Sequence, residues 1–235
     1  MEATEFKKFA ASIKVEFNDL GLLRQAFTHR SYLNEHREIK TDHNERLEFL
    51  GDAVLELVVT DFLYFNYPEK PEGELTAFRA ALVNTVSLSD VAKDLGVNDF
   101  LLLSRGEAKD VGRARQYILA NTFEAIVGAI YLDGGYKSAA RFINDNLLYK
   151  IGNIIAQNLW QDAKSFFQEK AQEFTAITPS YEVLKEAGPD HNKKFTVGVY
   201  LENELVAEGT GHSKQEAEQE AARLALAKKG WSDKQ

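Results

Sequence analysis

Asn44-Glu45-Arg46-Leu47-Glu48-Phe49-Leu50-Gly51-Asp52-Ala53-Val54-Leu55-Glu56 is a helix-forming run with four carboxylates threaded through it. At a helical advance of roughly 100° per residue, Glu45, Glu48, Asp52 and Glu56 fall within about 80° of one another. Leu47, Leu50, Val54, Leu55 and Val58 fill much of the remaining circumference. One helix therefore carries a narrow acidic stripe beside core-forming residues. Like charges set this close raise their own energy unless a cation or hydrogen-bond donors compensate them. Oxygen donors of this kind suit a hard cation such as Mg²⁺, and a solvated helix face is the alternative.

The chain has 235 residues, enough for one large domain or two modest ones. Hydrophobic residues at 44% and charged residues at 27% are ordinary for a globular protein, which argues against wholesale disorder. The absence of cysteine removes disulfides, thiolate metal sites and cysteine nucleophiles together, and suits a reducing cytoplasm. The most apolar stretch, Val54 to Phe65, is interrupted by Glu56 and Asp61 and is too short to span a bilayer. A soluble, cytoplasmic protein without membrane partners is expected. The net charge of -8 argues against nucleic acid as a partner, because backbone affinity comes from clustered Lys and Arg. Residues 161–235 hold 10 Lys and Arg against 13 Asp and Glu, a balance of -3, so RNA contacts would need local basic clusters on an acidic body.

Residues 1–158 read as nearly all helix. Phe6 to Val15 is amphipathic, Asp19 can cap a helix through Phe27, and Asn44 to Phe65 is a long buried helix ending near Tyr67-Pro68. Pro71 can open the next helix, and Asn84 or Thr85 can cap Val86 to Leu95, which stops at Gly96. A turn-rich stretch at Ser104 to Gly112 precedes a long helix from about Arg115 to Leu132, ended by Gly134-Gly135; Tyr136 to about Gln157 is read as one final helix. Leu159 to Asp162 reads as a short linker. Residues 162–231 switch periodicity: helix at Ala163 to Phe174, strands at Ser180 to Glu186, Phe195 to Leu201 and Glu204 to Thr210, then helix from Ser213 to Lys229. The expected fold is an all-α domain followed by a small α+β domain of α-β-β-β-α order.

The acidic run closely resembles the signature helix of the ribonuclease III family, and Ile118-Leu119-Ala120-Asn121-Thr122-Phe123-Glu124-Ala125 matches a second segment of that family. Residues 162–231 resemble the double-stranded RNA-binding domain, so the likeness covers nearly the whole chain in the order typical of bacterial members. The resemblance implies an endonuclease domain whose metal positions are Glu48, Asp52, Asn121 and Glu124, with Asp52 and Glu124 as the catalytic pair. Mg²⁺ would be the cofactor and Mn²⁺ a substitute. Glu45 and Glu72 occupy acidic positions near the site, and Phe49 corresponds to an aromatic residue of the dimer contact, although periodicity alone would bury it. Thr28-His29-Arg30-Ser31-Tyr32 matches a further motif, whose histidine is expected to order a helix end.

For the second domain, the resemblance places Ser165, Gln168 and Glu169 in one minor groove and His191 in the next, with Lys214 and Gln215 at phosphates. Lys193 and Lys194 are further candidates. Free N–H groups at the start of the last helix would add to phosphate affinity. The implied activity is metal-dependent hydrolysis of double-stranded RNA in rRNA and mRNA processing. An activated water would attack in line, leaving 5′-phosphate and 3′-hydroxyl ends, and a homodimer would carry one site per strand. Asn121 departs from the family pattern, which has aspartate there. It leaves open a natural variant with altered metal demand, an inactivating substitution, or a weakened or catalytically silent binder of double-stranded RNA.

Overall fold

The computed structural model describes residues 3–189 and 193–231. It divides into two compact units, Met1–Trp160 and Gln161–Gln235.

The first unit is helical. Helix α1 (Ala3–Ser12) buries Phe6, Phe9 and Ala10 on one side and ends as Lys14 turns to a left-handed φ of 56°. Helix α2 (Leu20–Ala26) is capped by Asp19, whose side chain accepts from the Gly21 N–H. Asp133 accepts from the backbone N–H groups of Asn18 and Asp19, at 2.8 Å each, and fixes this turn. Helix α3 (Arg30–Glu35), which the hydrophobic pattern does not announce, has no buried residue; His29 caps it by accepting from the Ser31 N–H.

Helix α4 (Glu45–Asn66) is the long helix expected from the opening run, with Leu47, Val54, Leu55, Val58, Val59 and Leu63 buried. Asn44 makes no side-chain cap to it. Instead its buried amide donates to the Ala26 carbonyl at 3.2 Å and joins α4 to the end of α2. Helices α5 (Glu72–Leu82) and α6 (Thr85–Asp94) follow, and Asn84 caps α6 through the Ser87 N–H. Gly96 then takes a φ of 71°, as a helix-ending glycine can.

Helix α7 (Arg113–Asn146) packs along α4 and carries a kink at Gly135, whose φ of 74° and ψ of -177° break the helical path. The expected stop at Gly134-Gly135 is thus a bend. The single final helix expected from Tyr136 to Gln157 is divided instead: the chain turns at Leu147 and resumes, after a 3-10 turn at Leu148–Lys150, as α8 (Ile151–Ala156). Leu147 and Leu148 are both buried, and neighbours in one straight helix point about 100° apart, so the turn lets both face the core. Among the described residues no helix is long and apolar enough to cross a membrane.

The second unit opens with α9 (Ala163–Thr175), capped by Asp162, which accepts from the Ser165 N–H at 2.8 Å. Asp162 therefore belongs to this unit and not to a linker. Strands β1 (Ser180–Ala187), β2 (Lys194–Leu201) and β3 (Glu204–Gly211) form an antiparallel sheet in that order, and α10 (Lys214–Lys229) closes the unit. Phe167 and Ala171 of α9 meet Val199 and Val206 of the sheet and Ala221, Ala222 and Ala225 of α10. The alanines let α10 lie close: a side chain on Gly209 would collide with the α10 backbone at Ala217 and Ala221.

Candidate functional site

The packing of α4 on α7 builds the acidic cluster. A Cβ on Gly51 would strike the Glu124 carbonyl, and one on Gly128 would strike the Leu47 carbonyl. Only glycine at both positions lets the two backbones approach this closely. At this crossing α4 brings Glu48 and Asp52 within electrostatic reach of Glu124 on α7, and Glu48 within a hydrogen bond of Asn121. Gly51→Ala should therefore separate the helices and cost roughly 3 kcal/mol or more by overpacking, read as a lower melting temperature.

The charges in the cluster feel one another. Burial, then the Asp52 and Glu48 charges, push the Glu124 carboxyl up to about 8. Glu48 is also raised, first by burial and then by Glu45, while a hydrogen bond from Asn121 partly offsets this and Asp52 adds to the rise. Asn121 thus serves here as a donor to a carboxylate, which an aspartate could not do when ionised. Among the described residues no three His, Cys, Asp or Glu side chains stand in an arrangement ready to hold a metal ion. Like charges gain nothing by closing up without a cation. The donors are nevertheless all oxygen, three carboxylates and one amide carbonyl, and this set fits a hard divalent ion.

Neighbouring candidates are less closely joined. Glu45 pairs with Arg30 at 3.5 Å, and its backbone N–H donates to His43 Nδ1 at 3.4 Å. Glu72, in the first turn of α5, accepts from the Thr76 hydroxyl at 2.9 Å, a partner on its own helix. Phe49 is 81% exposed, which corrects the core position its periodicity suggested. It shares an exposed face of α4 with Ala53, Leu57 and Tyr64, flanking the acidic stripe.

In the second unit, Ser165, Gln168 and Glu169 lie exposed on one face of α9. His191 lies outside the described residues. Lys194 is exposed at the start of β2, while Lys193 and Lys214 both pair with Glu186, at 3.0 and 3.6 Å. Gln215 is exposed in the first turn of α10. At the start of α10, Ser213 caps the helix by accepting from the Glu216 N–H at 3.1 Å, and the Glu216 carboxylate accepts from the His212 N–H, just before the cap, at 2.9 Å.

Two family models match the chain: "Ribonuclease-III-like" over residues 19–151 and "Double-stranded RNA binding motif" over residues 163–229. The chain is 46% identical over 227 residues to Ribonuclease 3 of Bacillus licheniformis, spanning 97% of this chain and 91% of that protein. The chain belongs to the ribonuclease III family.

It is an endoribonuclease specific for double-stranded RNA. Ribonuclease 3 of Borreliella afzelii is 43% identical over 222 residues, 94% of this chain and 90% of that one. Among solved structures, the ribonuclease III nuclease domain of Campylobacter jejuni, described with flexibility in a region involved in dimer formation, shares 42% identity at a TM-score of 0.53. That match covers 60% of this chain and 96% of the Campylobacter one. The glycine pair that sets the ribonuclease III helix crossing was not singled out from sequence, where an apolar helix interrupted by glycine was its only trace.

Proposed function

We propose that Glu48, Asp52 and Glu124, with the Asn121 carbonyl, hold Mg²⁺, or Mn²⁺ in its place, for hydrolysis of duplex RNA to 5′-phosphate and 3′-hydroxyl ends. The observation that carries this is the gathering of three carboxylates at the Gly51–Gly128 crossing, where burial first, and the Asp52 and Glu48 charges after it, push Glu124 up to about 8. A divalent ion, when bound, supplies charge neutralisation at the phosphate and activation of the attacking water. The protein's own part is to hold the oxygen donors in place. The backbone of Glu124 packs on Gly51 of α4, which fixes where its side chain leaves α7, and Asp52 is the exposed carboxylate that follows Gly51. Glu45, steadied by Arg30, and Glu72 are supporting acidic groups. The test is the end chemistry of products from a perfectly paired RNA with Mg²⁺, Mn²⁺ or EDTA. Cleavage in EDTA, or 2′,3′-cyclic ends, would exclude the reading.

The duplex would be read by shape through Ser165, Gln168, Glu169 and His191, with Lys193, Lys194, Lys214 and Gln215 along the backbone. Processing of structured rRNA and mRNA in the cytoplasm fits a cysteine-free chain of this activity. A homodimer would supply a second site for the opposite strand. Its contact is assigned to the exposed α4 face of Phe49, Leu57 and Tyr64, 81%, 58% and 66% exposed. Phe49→Asp should shift the protein to monomer in sedimentation at micromolar concentration, since a desolvated contact would then carry an unpaired charge. An unchanged sedimentation profile would remove this face from the contact.

A further inference from the structure

We propose that Glu186 occupies the place of an RNA phosphate, bridging Lys193 and Lys214, so that duplex binding exchanges this internal carboxylate for a phosphodiester. The proposal rests on the reading of these two lysines as phosphate contacts. Glu186 Oε2 lies 3.0 Å from Lys193 Nζ, and its Oε1 lies 3.6 Å from Lys214 Nζ. A carboxylate and a phosphodiester each offer two terminal oxygens and one negative charge, so two ammonium groups gathered by one can be met by the other.

The clamp does not depend on Glu186 alone. Both ammonium groups also lie over the Phe195 ring, 5.9 and 5.8 Å from its centre, where the ring face attracts cations. Strand register builds the arrangement: Glu186 of β1 pairs with Phe195 of β2, which pairs with Gly211 of β3. Gly211 in turn packs so tightly on Glu216 and Ala217 that the start of α10, and with it Lys214, is brought over the same end of the sheet. The hydrogen bond from Lys193 holds the Glu186 carboxyl below its ordinary value, so the internal anion is charged at neutral pH. Glu186 and Lys193 are each 37% exposed at the side chain, and pairs open to water separate at little cost. Glu186 therefore sets affinity downward in a domain whose carboxylates outnumber its basic groups: every duplex must displace it, and only one that gains contacts elsewhere recovers that cost.

The experiment is equilibrium binding of a labelled, perfectly paired RNA to the full chain in EDTA, by fluorescence anisotropy across a salt series. Glu186→Gln should bind about three- to tenfold tighter at low salt, the scale of two exposed ion pairs. The advantage should shrink as salt screens the site. Lys193→Ala with Lys214→Ala should bind more weakly than the parent, and adding Glu186→Gln to that pair should give no gain, because the groups it frees are gone. Glu208→Gln, which removes an exposed carboxylate from β3, should change affinity far less. Three results would overturn the proposal: no tightening by Glu186→Gln, equal tightening by Glu208→Gln, or the same gain without the lysines. If the lysine pair is dispensable for binding, the phosphate reading itself fails; if it is needed but Glu186→Gln is silent, only the exchange fails.

Discussion

Glu124→Gln is expected to reduce duplex cleavage at saturating Mg²⁺ by at least about a hundredfold, since even residues that only support metal ligands cost ten- to a hundredfold when lost. Duplex binding in EDTA should be unchanged, because the double-stranded RNA binding motif, residues 163–229, belongs to the other unit. The variant also carries a stability signature. The Glu124 carboxyl stands at about 8 in the folded protein against an ordinary value of 4.5. The folded state thus keeps a proton that the unfolded chain has released, and metal-free stability falls as pH rises from about 4.5 to about 8. Glutamine removes both the titration and the repulsion from Asp52 and Glu48. In EDTA the variant should melt above the parent at pH 8, and the difference should close toward pH 5. Added Mg²⁺ should reverse the order, because the ion stabilises only a protein that binds it. Thermal melts at the two pH values check this; a parent that melts alike in EDTA and in Mg²⁺ would leave no role for the cluster in metal binding.

Asn121→Asp is expected to move the site in the opposite direction. At an effective dielectric of about 20, a unit charge about 4 Å from a divalent ion gains several kcal/mol before desolvation is subtracted. The Mg²⁺ concentration for half-maximal cleavage should therefore fall at least about tenfold, with duplex binding in EDTA unaltered. The metal-free protein pays for it: Glu48 loses the hydrogen bond from the Asn121 amide and gains a like charge, so the variant should melt lower in EDTA and gain more from Mg²⁺ than the parent does. The parent should also respond better to Mn²⁺, whose stronger binding to oxygen and nitrogen donors tolerates a poorer site. A metal series of melts and rates separates these effects.

The elements legible in the sequence are those specified by neighbours in the chain. Asp19 and Asn84 cap the helices they precede, and the three strands of the second unit fall within a residue or two of their expected positions. The acidic stripe of α4 was equally plain, since helical spacing alone aligns Glu48 with Asp52. What was not legible depends on contacts distant in sequence. Phe49 satisfies the periodicity of a core residue, yet it stands on a second apolar face that the pattern cannot tell from the first. Helix α3 buries no residue fully and sets Tyr32 part-buried against the core, so it leaves little hydrophobic signature beside the His29 cap. The break at Leu147 answers the need to bury two adjacent leucines, and the Gly51–Gly128 crossing has meaning only once α7 is laid on α4. Glu186 looked like any strand carboxylate until strand register brought it to two lysines.

The most direct test of the site is single-turnover cleavage of a perfectly paired RNA as a function of Mg²⁺ concentration, with the parent, Asn121→Asp and Glu124→Gln measured side by side. The α4–α7 cluster requires the Asn121→Asp curve to lie at lower Mg²⁺ than the parent curve and the Glu124→Gln curve to stay near the baseline throughout. Coincident parent and Asn121→Asp curves, or Glu124→Gln cleaving at the parent rate, would show that the metal and the cut lie elsewhere.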